Sequence, residues 1–362
     1  MSAPSAFDPL RFPCGASMSN RFMLAPMTNC QSHEDGTLSD DEHRWLTMRA
    51  RGGFGLTMTC ASHVQAVGKG FPGQLGCFGD EHLEGLTRLA AGIREHDSVS
   101  IVQLHHAGNR SPAELVGQPV CPSDDPETGA RGLSLAEVEQ LREDFIAAAV
   151  RSKAAGFDGV EVHGAHGYIL TQFLSSKINH REDRYGGSLD ERARLLIEII
   201  EGIRAACGPH FVLGVRLSPE RFGVELMEIR ELCQRLLSSA PIDFLDLSLW
   251  DSFKQPKQEE HASSGRSLLS YFTELERGQV ALGVAGKLYT AEDVRRALAA
   301  GVDFVSIGRA AILNHDFPKQ MQADPEFRCR ELPVSVQTLR EEGLGDAFIE
   351  YMRRWRGFVA GE

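Results

Sequence analysis

The sequence predicts an α/β fold, a parallel (β/α)8 TIM barrel, and three observations predict it. Short apolar, β-branched runs alternate with stretches of helical periodicity along the whole chain. The runs are apolar at consecutive positions, as parallel strands covered on both faces should be. The first run, FMLAPM (22–27), is followed by TNC and not by a G-x-G-x-x-G turn, so the competing doubly wound sheet lacks its dinucleotide loop.

The elements follow in order. FMLAPM (22–27) precedes the helical SDDEHRWLTMRA, and FGLTMTCAS (54–62) precedes DEHLEGLTRLAAGIREH. VSIVQLHHAG (99–108) leads through a Pro-rich loop to LSLAEVEQLREDFIAAAVRSKAAG. GVEVHGAH (159–166) precedes LDERARLLIEIIEGIRAACG, and FVLGVRLSP (211–219) precedes ELMEIRELCQRLLSSA. FLDLSLW (244–250) leads through a polar loop to SLLSYFTELERG. VALGVAGK (280–287) precedes TAEDVRRALAAG, where Thr290 is a good N-cap and Gly301 a natural stop. FVSIGRAAI (304–312) completes eight units, and 314–362 reads as a C-terminal helical extension. No linker or composition shift divides the chain, so 1–362 is expected to form one domain. The irregular stretches 109–133 and 251–266 both follow strand ends and are expected to act as lid or substrate loops.

Composition narrows the function. At 362 residues the chain is long enough for one large barrel. Its 38 basic against 50 acidic residues give a net charge of −12, a poor footprint for nucleic acid or an anionic membrane. No apolar run approaches the ~18–20 residues of a membrane helix. The start, MSAPSAFDPLRFPCG, has no signal-peptide pattern, and the eight cysteines form no C-x-x-C pair. A cytoplasmic protein with reduced thiols is expected, acting on a small molecule and compatible with a homo-oligomer.

A barrel gathers the ends of its strands at one mouth. Those ends carry Pro26, Met27 and Thr28; Cys60, Ala61 and Ser62; Gln103, His105 and His106; His163, His166 and Tyr168; Arg216; Gly286 and Lys287; and Gly308 and Arg309. A strand-end histidine is often merely hydrogen-bonded structure. Arg216, inside an apolar strand, needs either a core carboxylate such as Glu161 or Asp246 or an electron-rich ligand. Glycines after the seventh and eighth strands are where this fold commonly binds phosphate. A phosphorylated planar cofactor, with a substrate stacked on it, suits this set. The H-x-x-H spacing of His163 and His166 leaves a zinc-dependent hydrolase as the rival from another class, although Gly164 and Gly167 argue against the helix that such chelation favours.

The chain resembles the old yellow enzyme family of FMN-dependent ene-reductases. NRFMLAPMT (20–28), QLHHAG (103–108), VEVHGAHGYILTQFLSSKINHREDRYGGSLDERARLLIEII (160–200) and FVSIGRAAI (304–312) carry the resemblance in the family's order. The third stretch is the most specific. The resemblance implies tightly bound, non-covalent FMN, with Pro26, Met27, Thr28, Ala61, Gln103 and Arg216 around its ring and Gly286, Gly308 and Arg309 at its phosphate. It implies NAD(P)H as reductant and no metal. It makes His163 and His166 the pair that holds a substrate carbonyl oxygen, and Tyr168 the proton donor. Activated C=C reduction is the activity implied, with oxidative demethylation or dehydrogenation the alternative on the same fold. Some departures stand out. Thr28 replaces the cysteine of one branch, Asn109 stands where many relatives have arginine, and Lys287 interrupts the usual glycine pair. Trp250 could line the pocket or pack in the core. The basic, aromatic YMRRWRGFV (351–359) is expected to form a solvated helix face rather than to enter a neighbouring subunit's site.

Overall fold

A computed structural model describes residues 4–239 and 241–361. The outermost residues of the expected 1–362 unit, and position 240 at the expected end of the helix after the fifth strand, lie outside them. Eight parallel strands close into a barrel in sequence order. They are β1 (Phe22–Leu24), β2 (Leu56–His63), β3 (Val99–His105), β4 (Gly159–Gly164), β5 (Val212–Leu217), β6 (Phe244–Ser248), β7 (Ala281–Ala285) and β8 (Phe304–Ile307). Pairing of Val305 with Phe22 closes the ring.

The long helices lie outside: α1 (Asp40–Arg51), α2 (Leu83–Arg94), α3 (Leu135–Ala154), α4 (Leu189–Cys207), α5 (Leu226–Ser239) and α6 (Ala291–Ala299). Local chemistry fixes where several begin. Ser134 with Glu137, Ser188 with Glu191 and Thr290 with Asp293 form reciprocal capping boxes that satisfy otherwise orphaned N–H groups.

The register decides which side chains meet. Gln103 of β3 lies opposite Glu161 of β4 and Ala61 of β2. Arg216 of β5 lies opposite His163 on one side and Asp246 of β6 on the other. A bulge in β2 between Met58 and Ala61 resets that strand before its end, and so brings Ala61 into line with Gln103.

The lower interior is an apolar plug. The hairpin of Leu10–Arg11 and Ser17–Met18 leads Phe12 and Met18 into a cluster with Met23, Leu56, Ile101, Phe244 and Phe304. The rings of Phe12, Phe244 and Phe304 meet at 5.6 and 5.7 Å. Gly214 and Gly283 make room for them, since a Cβ there would stand 2.0 Å from the Phe244 ring and 2.2 Å from the Phe304 ring. Each ring so buried contributes about 1.5–3 kcal/mol.

Two expectations are corrected. FVSIGRAAI is not one strand: β8 stops at Ile307, and Arg309–Leu313 forms a helix, α7. An apolar run this short does not distinguish the two periods. SLLSYFTELERG gives only the single turn Ser270–Thr273. The chain ends in α8 (Phe317–Ala323), α9 (Val336–Glu341) and α10 (Asp346–Arg353). Their buried Phe317, Leu339 and Phe348 join the core between strands and helices, and Phe348 meets Trp45 of α1 at 4.9 Å.

All eight cysteines are free. Burial pushes each of these thiols above its ordinary value. Among the described residues, no helix is long and apolar enough to cross a membrane.

Candidate active site

Two adjoining cavities, of about 230 and 450 Å³, open at the C-terminal ends of the strands. They share Pro26, Thr28, His166, Arg216, Ser248, Trp250 and Trp355, and so form one continuous slot. Met27, Gly286, Gly308 and Arg309 line the first; Ala61, Gln103, His163 and Tyr168 line the second. The structure thus brings every expected site residue to the same mouth.

The floor is charged and buried. Arg216, 4% exposed, approaches Asp246 with Nε and Oδ2 3.0 Å apart. The atoms are too poorly aligned for a hydrogen bond, so the pair is an ionic contact. The reading of Arg216 as paired with a core carboxylate holds, and its side chain also lines the slot. Glu161, also fully buried, accepts a 2.6 Å hydrogen bond from Gln103 Nε2. Burial and then the charge of Asp246 push Glu161 up to about 8, with Arg216 and Gln103 only partly opposing. Burial raises Asp246 as well, against the pull of Arg216, so both carboxyl groups beside the single guanidinium are pushed toward their protonated forms.

Above the floor the imidazoles form a chain. His105 Nδ1 lies 3.1 Å from His163 Nδ1, His163 Nε2 lies 2.9 Å from His166 Nδ1, and His166 Nε2 lies 2.7 Å from Ser248 Oγ. Desolvation holds all three rings neutral, with His166 lowered to about 3. Each neutral ring owns one N–H, so the protons run in one direction along the chain or in the other. His163 and His166 are not two free donors side by side. A ligand oxygen reaches the N–H of His166 by displacing Ser248 Oγ or His163 Nε2, according to that direction.

Local backbone places these groups. His166 and Gly167 both have positive φ, 62° and 73°, which turns the chain sharply out of β4. A Cβ on Gly167 would stand 2.8 Å from the Phe222 ring. Tyr168 then begins a short helix, Ile169–Leu174, with its ring edge-on to His105 at 4.4 Å. The NHREDRYGGS stretch that follows works as structure. Asn179 Nδ2 bonds to the carbonyls of Phe173 and Tyr185, while Arg181 bonds to those of Pro122 and Leu133. Arg181 thereby pins the end of the 109–133 loop. That loop still sends Arg110 to the slot, while Asn109 is tied to Asp125 and Gln172.

The far end of the slot is cationic. Gly308, at φ −98° and ψ −104°, leads into α7. Arg309 lies between the rings of Tyr289 and Trp355, at 5.6 and 5.7 Å. Lys287 takes the left-handed φ of 50° that a second glycine would adopt, and its Nζ meets Asp251 at 3.2 Å. Gly286 is required by packing, since a Cβ would come within 2.8 Å of the Ser252 nitrogen. Ser306 Oγ faces this cavity, buried and without a partner. A buried orphan donor beside Arg309 is what an anionic group would satisfy. A slot with polar groups at one end and unpaired donors at the other fits a planar ring with a phosphate tail, as FMN has. A metal fits less well: the histidine nitrogens are committed to one another, and among the described residues no three His, Cys, Asp or Glu side chains converge to hold one.

Some lining residues escaped the sequence reading. Ser248 and Ser306 are ordinary serines at strand ends, without a motif to mark them. Tyr351, Met352 and Trp355, at and just beyond α10, also line the slot, so the expectation of a solvated face fails for these three. Trp250 lines the slot and is 55% exposed, which excludes the core reading.

Comparison with known proteins agrees with this geometry. Residues 5–326 match the NADH:flavin oxidoreductase / NADH oxidase family. The probable NADH-dependent flavin oxidoreductase YqiG of Bacillus subtilis is 34% identical over 332 residues, 88% of either chain. The NADPH dehydrogenase of Bacillus cytotoxicus is 31% identical, over 87% of this chain and 91% of its own. The chain spans only 50% of the NADH oxidase of Thermoanaerobacter brockii, at 33% identity. Among solved structures, the old yellow enzyme homologue from Zymomonas mobilis superposes with a TM-score of 0.79 at 28% identity, over 95% of this chain and 99% of its own. Morphinone reductase in complex with tetrahydroNAD gives 0.78 at 25% identity, over 95% and 97%. With most of its length matched in sequence and in fold, the chain belongs to the NADH:flavin oxidoreductase / NADH oxidase family, the old yellow enzymes, as an oxidoreductase with FMN as cofactor and NADH or NADPH as reductant.

Proposed function

We propose that this enzyme reduces carbon–carbon double bonds conjugated to a carbonyl group, with the nicotinamide and the alkene using the same mouth in turn. The observation that carries the reading is the convergence of Tyr168, His163 and His166 on one wall of a slot that also holds Arg216 and Pro26. FMN, when bound, supplies the two-electron chemistry that passes a hydride from the nicotinamide to the alkene. Pro26, Met27, Thr28, Ala61, Gln103 and Arg216 would surround its ring, and Gly286, Gly308 and Arg309, with Ser306 beside them, would hold its phosphate.

The protein's own groups then have distinct tasks. His163 and His166 hold the carbonyl oxygen on which negative charge gathers, each turning its N–H from its neighbour in the chain to the ligand; a donor of this kind is worth about 3 kcal/mol. Their neutrality suits them to the task, because a neutral imidazole donates an N–H without bringing a charge into the slot. Tyr168 gives the proton of its phenol O–H to the α-carbon. Arg216 sets a cation at the edge of the ring. Morphinone reductase was solved with tetrahydroNAD, which supports a nicotinamide in the equivalent mouth here.

The test separates the two half-reactions. The FMN-loaded protein is bleached anaerobically with NADH or NADPH and then given a panel of cyclic enones. We expect the colour to return with one equivalent of saturated ketone. Bleaching by nicotinamide with no return of colour for any enone would remove the proposal.

A further inference from the structure

The slot opens past a rim of cations and aromatic rings that the chemistry above does not use. Arg110, from the loop after β3, lies 4.7 Å from the Tyr168 ring and 6.0 Å from the Phe222 ring. Arg221, after β5, lies 5.3 Å from the same Phe222 ring and 5.6 Å from Trp250. Phe222 is thus flanked by two guanidiniums. Arg110, Arg221, Phe222 and Trp250 all line the cavity that holds His163, His166 and Tyr168.

Charge makes the rim unusual. Neither Arg110 nor Arg221 has a carboxylate partner among the described residues. Among the described residues one carboxylate lines this cavity, Glu220, and it is neutralised: Lys254 Nζ sits 2.5 Å from Oε1, and the Lys257 N–H donates to Oε2 at 2.7 Å. The rim therefore carries two uncompensated positive charges on a chain of net charge −12. The field reaches inward: after desolvation and Arg216, Arg110 and Arg221 add to what holds His166 in its neutral form. The backbone is also strained there. Arg221, Phe222 and Trp250 are held at φ 75°, 54° and 66°, a region that residues with side chains rarely adopt.

We propose that Arg221 and Arg110 form an anion subsite, and that the alkene this enzyme reduces carries a carboxylate. The proposal rests on the alkene-reductase reading above. Position favours the substrate over the phosphates of the reductant. An anion bound beside Arg110 lies about one ring's width from Tyr168, whereas a dinucleotide's phosphates begin a whole ribose away from the nicotinamide. Cation–π contacts with Phe222 and Trp250, and the bond from Arg110 to the His166 carbonyl, hold the guanidiniums in place, which lessens the ordering cost when the carboxylate arrives.

The test compares 3-oxocyclohex-1-ene-1-carboxylate with its neutral amide on the FMN-loaded enzyme. The wild type should favour the carboxylate in kcat/KM, and salt should narrow the preference. Arg221→Gln should lower the carboxylate-to-amide ratio about 10–100-fold, and Arg221→Lys should keep most of it. A wild-type ratio near one, unmoved by Arg221→Gln, overturns the proposal. Slower bleaching by NADPH in Arg221→Gln, with the alkene ratio intact, assigns the site to the reductant and also overturns it. If neither alkene restores the flavin colour, the alkene-reductase reading fails on its own. The subsite is then judged by binding of saturated 3-oxocyclohexane-1-carboxylate and its amide, read from the flavin absorbance. Tighter binding of the acid that Arg221→Gln abolishes supports the subsite, and equal binding overturns it.

Discussion

The two ends of the barrel share eight strands and differ in almost everything else. The lower end is closed by Phe12, Phe244 and Phe304, with glycines at 214 and 283 shaped around the rings. The upper end holds three neutral imidazoles, a buried arginine and two buried acids, with left-handed residues at 166, 221, 222, 250 and 287. One end satisfies every packing demand and offers no chemistry. The other leaves Ser306 Oγ and Glu161 Oε1 without partners. Stability and reactivity are separated along the axis of a single core, as this architecture allows. Substitutions at the two ends should therefore have different signatures.

The largest expected effect is at the top. Tyr168→Phe should slow alkene reduction about 10²–10⁴-fold while slowing flavin reduction by NAD(P)H only slightly, seen by anaerobic stopped flow. Equal slowing of both steps would deny Tyr168 its proton. At the bottom, Phe244→Ala should cost about 3–5 kcal/mol in urea unfolding and leave turnover per bound FMN alone. A loss of turnover there would show that the ends are coupled. Arg309→Ala should weaken FMN binding to the apoprotein about 10–100-fold by fluorescence titration. This sharpens the contrast, because a residue of the upper end then contributes stability only through the bound cofactor.

The smallest effect is a pH dependence. His105 is fully buried, and desolvation lowers it well below its ordinary 6.5. The unfolded chain takes up that proton below about 6.5 while the folded chain does not, so the stability from its neutral burial is present above 6.5 and lost on acidification. For one such proton the slope is about 1.4 kcal/mol per pH unit. His105→Gln should flatten the fall of the urea midpoint below pH 6.5 by up to that share. An unchanged slope would mean that the ring is already protonated in the fold.

Much of this was legible in the residues themselves. Parallel strands buried on both faces write continuous apolar runs, and the barrel gathers their ends, so His163, His166, Tyr168 and Arg216 could be assembled from order alone. Other features depend on tertiary approach and leave no local mark. Ser248 matters because His166 points at it. Trp355 matters because the terminal helices fold back over the slot. Gly286 reads as a phosphate glycine in the sequence, yet its lack of a side chain answers first to the backbone of Asp251 and Ser252. RAAI after β8 misleads because four apolar-rich residues carry no period.

The thiols carry a consequence of their own. A reduced flavin meeting dissolved oxygen makes peroxide beside the protein that holds it. Peroxide attacks sulfur mainly as thiolate, and burial keeps all eight cysteines un-ionised at neutral pH. Thr28 puts a hydroxyl rather than sulfur against the slot. Idle cycling in air should therefore leave this chain's thiols intact for longer than those of a protein with an ionised cysteine at that wall, while the thioether of Met27, which also lines the slot, has no such protection.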